Sequence, residues 1–141
     1  MEKKAVAIVG GGLAGMSAVL ASQRWPVSVT WIAPEQTSQQ LVSKRSIVLN
    51  AVSRTILDTL GVWECMKKHA QPIKEVRVSD RGHFGKCQFT AKDADLEALG
   101  YVVPAGRLLQ AMLDCIEASE PTRVMASVTH CSGSHDKTSC E

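Results

Sequence analysis

The chain has 141 residues, of which 45% are hydrophobic and 21% are charged, and its formal net charge at pH 7 is +2. This length suits one domain, and the composition is that of a globular protein rather than a disordered or fibrous one. The near-neutral charge, the scattered basic residues and an aromatic content of 4% argue against nucleic-acid binding.

The first predicted element is a strand that leads into a glycine-rich turn. Residues 5–9 form an apolar, β-branched run, and G-G-G-L-A-G at 10–15 follows directly and satisfies G-x-G-x-x-G. A helix is predicted over 13–24 and a second strand over 27–32. Strand, glycine turn, helix and strand in this order predict a dinucleotide-binding site.

Three glycines of this turn have different steric roles in such a site. Gly10 permits the tight turn, Gly12 lets the backbone approach a pyrophosphate, and Gly15 lets the helix lie close to the strand. The helix N-terminus adds N–H donors and the positive end of its dipole.

An export signal is the alternative interpretation of this N-terminal segment. Lys3 and Lys4 precede the apolar run, and residues 19–21 resemble a cleavage site. Glycines within the run weaken the helix that a signal peptide needs, which favours the nucleotide-binding interpretation. No segment has the ~18 continuous apolar residues of a membrane helix, so we expect a cytoplasmic protein that is at most peripheral to the inner membrane.

The remaining elements are predicted in chain order. Residues 34–43 are polar and predict a loop, and 46–49 predict a short strand. Asn50 is a suitable N-cap for a helix over 51–60, which Gly61 would end. Next come a short helix over 62–69, a hairpin of 73–79 and 86–91, a strand over 101–103, a helix over 106–118 and a strand over 124–128.

The polar residues after position 128 predict a disordered tail over 129–141. The five cysteines are widely spaced and contain no C-x-x-C pattern, so no metal site is predicted. The three tryptophans, Trp25, Trp31 and Trp63, are expected to serve in packing.

Three segments resemble the flavin-dependent ring hydroxylases of ubiquinone biosynthesis, a family of class A flavoprotein monooxygenases that includes the 2-octaprenyl-6-methoxyphenol hydroxylases. These segments are V-S-D-R-G-H-F-G at 78–85, I-L-D-T-L-G-V-W at 56–63 and A-L-G-Y-V-V at 98–103. The resemblance covers roughly residues 4–116 and implies an α/β fold. It implies a truncated Rossmann-type FAD-binding region over 1–128 that includes the start of a substrate-domain β-hairpin.

The resemblance also implies a chemistry and a set of binding residues. Members of this family bind FAD, use NADPH and O2, and hydroxylate a polyprenylated phenol. Gly10, Gly12 and Gly15 match the positions that hold the FAD pyrophosphate. Arg45 matches the arginine of the family's D-x-R-x-I-x-L segment, and Arg107 matches a flavin-contacting Arg or Gln. The alternative for both arginines is a solvated surface side chain.

Other residues near these motifs receive no catalytic role. His83 is expected to shape the turn at 80–83, because the flavin performs most of this chemistry. The acid that binds the adenosine ribose in the family is missing, since its position falls on or near Ala33; Glu35 is a candidate substitute.

The family's later flavin motifs have no counterpart in these 141 residues, so we expect the N-terminal part of a hydroxylase. The alternatives are a non-catalytic remnant and a small NAD- or FAD-binding module. Expected partners are a polyprenylphenol substrate, the inner-membrane surface and a complex of ubiquinone biosynthesis.

Overall fold

A computed structural model describes residues 4–34, 45–79, 82, 85–119, 121–126, 128, 131–133 and 138–140. The chain forms two compact units, one of residues 1–41 with 112–141 and the other of residues 42–111. The helices and strands in chain order are β1 (Lys4–Val9), α1 (Leu13–Ser22), β2 (Val27–Ala33), β3 (Ser46–Asn50), α2 (Ala51–Thr59), α3 (Trp63–Met66), a 3-10 turn (Lys67–His69), β4 (Gln71–Ile73), β5 (Glu75–Ser79), β6 (Lys86–Thr90), β7 (Gly100–Pro104), α4 (Ala105–Glu117), β8 (Thr122–Met125), β9 (Cys131–Gly133) and β10 (Thr138–Cys140).

The first unit is built on a parallel three-stranded sheet with the order β1–β2–β8. Lys4 lies opposite Val27 at the start of the β1–β2 pairing, and Thr30 lies opposite Thr122 where β2 meets β8. The helix α1 makes the crossover that two parallel neighbours require. The predicted β1, α1 and β2 are therefore confirmed.

The core of the first unit combines apolar side chains of α1, β2 and the second half of α4. Burial of each Val, Leu, Ile or Met side chain among them contributes about 1.5–3 kcal/mol to folding. The buried residues are Met16, Val19, Leu20, Trp31, Ala33, Met112, Leu113 and Ile116.

The second unit contains an antiparallel sheet with the order β3–β7–β4 and the separate hairpin β5–β6. The sequence predicts one strand over 73–79, but the structure has two strands there. Ile73 pairs with Gly100 in β7, whereas Glu75 pairs with Thr90 in β6. The chain thus changes its pairing partner across Lys74, the single residue between the two strands.

The predicted start and end of α2 are confirmed. The Asn50 Oδ1 accepts a hydrogen bond from the Ser53 N–H at 2.7 Å and caps the helix N-terminus. Gly61 has a φ of +79° and its N–H donates to the Asp58 carbonyl at 3.0 Å. This left-handed glycine ends the helix in the manner expected of a C′ residue.

Aromatic packing joins the helices of the second unit to its sheet. The Trp63 ring meets the Tyr101 ring edge-on, with 4.9 Å between centroids, and the Arg54 guanidinium lies 5.3 Å from the Trp63 centroid. Arg54 also forms an ion pair with Asp58 at 3.4 Å. These contacts pack α2 and α3 against β7.

Two short strands lie within the predicted tail of residues 129–141, whose disorder stays a prediction. β9 and β10 pair as antiparallel strands there, with Ser139 opposite Ser132. Pairing of this kind uses backbone groups, so it does not need apolar side chains. The predicted extent of the domain over 1–128 stays a prediction. Within the described ranges, no helix is long and apolar enough to cross a membrane.

We predict that Asn50→Ala destabilises the second unit by about 1 kcal/mol, because the Ser53 N–H loses its side-chain acceptor. Urea unfolding followed by circular dichroism measures the change. The control is Asn50→Ser, which keeps a capping oxygen and is expected to retain most of the stability. Equal stabilities for the alanine and serine variants would contradict this role for the cap.

Candidate functional site

The glycine turn begins directly after β1 and is tied to β2. Gly10 has a φ of +124°, a conformation in which a side chain is strained. Its N–H donates to the Ile32 carbonyl at 2.9 Å. The sequence predicts a glycine-dependent tight turn at the first position of the fingerprint, and the positive φ of Gly10 explains why glycine is needed there.

Gly15 allows α1 to approach the turn closely. A Cβ built on Gly15 would lie 2.2 Å from the Gly10 carbonyl oxygen and 3.0 Å from the Gly10 carbonyl carbon. Both atoms belong to backbone, which cannot move aside as a flexible side chain can. Any larger residue would therefore push the helix away from the turn.

Gly12 lies beside open space at the start of α1. It is the helix N-cap, with a φ of −85° and a ψ of 177°, and its carbonyl accepts the first helical hydrogen bond, from the Met16 N–H at 3.0 Å. A Cβ on Gly12 would meet no atom within 4 Å. A ligand can therefore approach the Gly12 backbone in space that a side chain would fill.

The N-terminus of α1 suits an anion. The first turn of a helix has N–H groups without helical acceptors, and it carries the positive end of the helix dipole. Gly12 has no side chain to cap these groups, and the first turn of α1 contains no acidic residue. The open space at Gly12 and these donors together fit a diphosphate.

Trp31 contributes to this site as well as to packing. Its side chain is fully buried on β2, and its Nε1–H donates to the Gly10 carbonyl at 2.9 Å. The sequence predicts only a packing role for Trp31. The available signal is that a tryptophan in a buried strand still needs an acceptor for its N–H.

Ala33 is buried at the end of β2. It is the last residue of β2, where the sequence places the ribose-binding position, but its side chain is fully buried. Ala33 lies in the interior of the first unit, two residues after the buried Trp31. Its correspondence to the ribose-binding position of the family stays a prediction. The candidate substitute, Glu35, lies outside the described residues.

Arg45 and Arg107 lie at one end of the sheet in the second unit. Arg45 directly precedes β3, and its carbonyl accepts a hydrogen bond from the Ala105 N–H at 2.8 Å. Arg107 lies in the first turn of α4, and both arginines are exposed. Because Ser46 pairs with Pro104, the β3–β7 pairing brings the backbones at 45 and 105 together. Their predicted role in flavin binding stays a prediction.

The predicted role of His83 in shaping the turn at 80–83 lies outside the described residues. Asp80, Arg81 and His83 lie outside the described residues, and no catalytic residue is assigned. Among the residues that the structure describes, no three His, Cys, Asp or Glu side chains form a group suited to a metal ion.

Comparison with protein families gives a match over nearly the whole chain. Residues 3–138 match the family described as the FAD binding domain. An uncharacterized protein of Synechocystis is 30% identical over 112 residues, which are 79% of this chain and 27% of that protein. Ubiquinone hydroxylase UbiL of Rhodospirillum rubrum is 32% identical over 111 residues, which are 77% of this chain and 26% of that protein.

Solved structures share the fold at low sequence identity. The p-nitrophenol 4-monooxygenase PnpA of Pseudomonas putida matches with a TM-score of 0.74 and 16% identity over 99% of this chain and 36% of that chain. The flavin-dependent monooxygenase PieE matches with a TM-score of 0.72 and 15% identity over 99% of this chain and 26% of that chain. The predicted α/β class is confirmed. The chain spans about a quarter of the length of the two curated relatives.

We predict that Gly15→Ala destabilises the first unit by about 1–3 kcal/mol, because its new Cβ collides with the Gly10 carbonyl. Gly12→Ala is the matched control, because the same methyl group there enters open space. Thermal unfolding of both variants measures the difference. Equal unfolding temperatures for the Gly15→Ala and Gly12→Ala variants would contradict the close approach of helix and turn.

Proposed function

The chain belongs to the FAD binding domain family, and from this premise we propose that it binds FAD with the pyrophosphate over the turn of residues 10–15. The observation that carries the proposal is the open space at Gly12 beside the uncapped N-terminus of α1. Backbone N–H groups of that turn bind the phosphate oxygens, and the helix dipole favours their charge.

The close contact between Gly15 and Gly10 supports the same proposal. It brings the helix N-terminus next to the end of β1, so that the donors of α1 and the backbone of the turn face one ligand. The turn offers backbone and no side chains at Gly10, Gly11 and Gly12, which suits the close approach of a diphosphate.

Arg45 and Arg107 are proposed to contact the phosphates, the ribose or the flavin of the same cofactor. An exposed guanidinium offers a planar set of donors that matches phosphate oxygens. The β3–β7 pairing brings the backbones next to these two residues together, which suits contacts to neighbouring parts of one ligand. A pair of solvated surface arginines is the competing interpretation.

The proposed activity is that of an aromatic-ring hydroxylase that uses NADPH and O2 and acts on a polyprenylated phenol. Support comes from the resemblance of residues 56–63, 78–85 and 98–103, and from the similarity to ubiquinone hydroxylase UbiL. Bound FAD supplies the redox chemistry, and the residues named above hold and orient it. A cytoplasmic location, peripheral contact with the inner membrane and association with a ubiquinone-biosynthesis complex are parts of the same proposal.

A small NAD-binding module is the second candidate from the sequence. NAD sites of this kind use a carboxylate at the end of the second strand to bind the ribose. This chain has the buried Ala33 there, which offers no carboxylate to the ribose of NAD or of FAD, so it is the family match that favours FAD over NAD. Parallel titrations with FAD and NAD separate the two candidates.

We predict that Gly12→Val weakens FAD binding at least tenfold, which is about 1.4 kcal/mol, because its methyl groups fill the space proposed for the pyrophosphate. Flavin fluorescence titration measures the affinity, and urea unfolding checks the fold. Gly85→Val is the matched control, since a Cβ there also meets no atom within 4 Å. Retention of wild-type FAD affinity by Gly12→Val would refute the assignment of this turn.

We predict that Arg45→Gln and Arg107→Gln each weaken FAD binding about tenfold or more, because a charged hydrogen bond is lost. Arg77→Gln is the control, an exposed arginine of the hairpin paired with Glu75. Wild-type affinity is expected to fall with added salt more steeply than that of either variant. Identical affinities and salt dependences would identify both arginines as solvated surface residues.

A further inference from the structure

Both polar backbone atoms of Gly10 are bonded to successive residues of β2. The Gly10 N–H donates to the Ile32 carbonyl at 2.9 Å, and the Gly10 carbonyl accepts from the Trp31 indole at 2.9 Å. Trp31 has no exposed surface and Gly10 is half-buried, so this hydrogen bond is partly shielded from competing water. The start of the glycine turn is thus attached to the neighbouring strand at two points.

The indole bond fixes the orientation of one peptide group. A trans peptide is planar, so a carbonyl of Gly10 directed at the indole requires the N–H of Gly11 to point the opposite way. Three successive glycines otherwise give this segment more backbone freedom than any other residue type would. The Trp31 indole, a side-chain donor from outside the turn, therefore limits rotation of the Gly10–Gly11 peptide.

We propose that Trp31 is a positioning residue for the phosphate-binding turn. Its indole N–H holds the Gly10 carbonyl and thereby preorganises the backbone of Gly10, Gly11 and Gly12 for a diphosphate ligand. This inference rests on the proposed FAD site and adds a residue that touches no part of the ligand. A preorganised turn increases affinity because fewer conformers must be lost on binding.

Removal of the N–H alone tests this role. Replacement of the Trp31 indole by benzothiophene keeps the shape of the ring system but puts sulfur in place of the N–H. Trp31→Phe is the genetically simpler second variant. The same two replacements at Trp25, which is 65% exposed, provide the controls. FAD and ADP affinities are measured by titration on the 141-residue chain, in a buffer without denaturant in which circular dichroism shows that each variant is folded.

We expect both Trp31 replacements to weaken FAD and ADP binding by the same factor, about tenfold, because the shared diphosphate meets the altered turn. In ligand-free protein, we also expect the amide NMR signals of the turn glycines to broaden or shift. A residue that serves only in packing would lower the unfolding temperature and leave these signals and both affinities unchanged in the folded chain.

The failure of this inference is distinguishable from failure of the proposed function. Wild-type affinity for FAD and ADP in the benzothiophene variant overturns the positioning role and leaves the FAD site standing. A wild-type chain that binds neither FAD nor ADP overturns the proposed function, and the positioning role with it. A loss of affinity equal to that of the Trp25 replacements also overturns the role.

Discussion

The architecture of the first unit depends on the close approach of α1 to the end of β1. The carbonyl of Gly10 lies so near Gly15 that only a hydrogen atom fits between them. This contact decides where the helix starts, and the helix start decides where its uncapped N–H groups point. The parallel pairing of β1 with β2 then follows, because a short helix packed on one face joins two neighbouring strands.

The second unit reaches its arrangement by different means. Its sheet is antiparallel, and side-chain contacts among Arg54, Trp63 and Tyr101 hold the helices to it. Pairing of β3 with β7 brings chain segments together that are more than fifty positions apart at Ser46 and Pro104. This pairing, rather than any local sequence motif, brings the backbone at Arg45 close to the start of the helix that carries Arg107.

Features that depend on neighbouring residues could be predicted from the sequence, whereas features that depend on distant partners could not. The fingerprint at 10–15, the Asn50 cap and the Gly61 helix end are local, and the structure has all three. The change of strand partner at Lys74 and the burial of Ala33 depend on residues far along the chain. Trp31 belongs to the second group, since its acceptor lies 21 positions earlier. The binding roles of the glycines rest on the fingerprint. Those of the two arginines rest on the resemblance, because no local pattern distinguishes a ligand-binding arginine from a solvated one.

The uncapped start of α1 links ligand occupancy to the stability of the fold. A serine or aspartate N-cap stabilises a helix by a few tenths of a kcal/mol over a glycine N-cap, and Gly12 supplies no capping side chain. A bound anion would accept hydrogen bonds from the N–H groups that a capping side chain normally binds. Because the ligand binds only the folded protein, its concentration would then contribute to the free energy of folding by mass action. Selection for stability alone would install a capping side chain at this position and close the site. The ligand-free protein with Gly12 is therefore less stable than the same protein with a capping residue at position 12 would be, and the open site is what it gains in exchange.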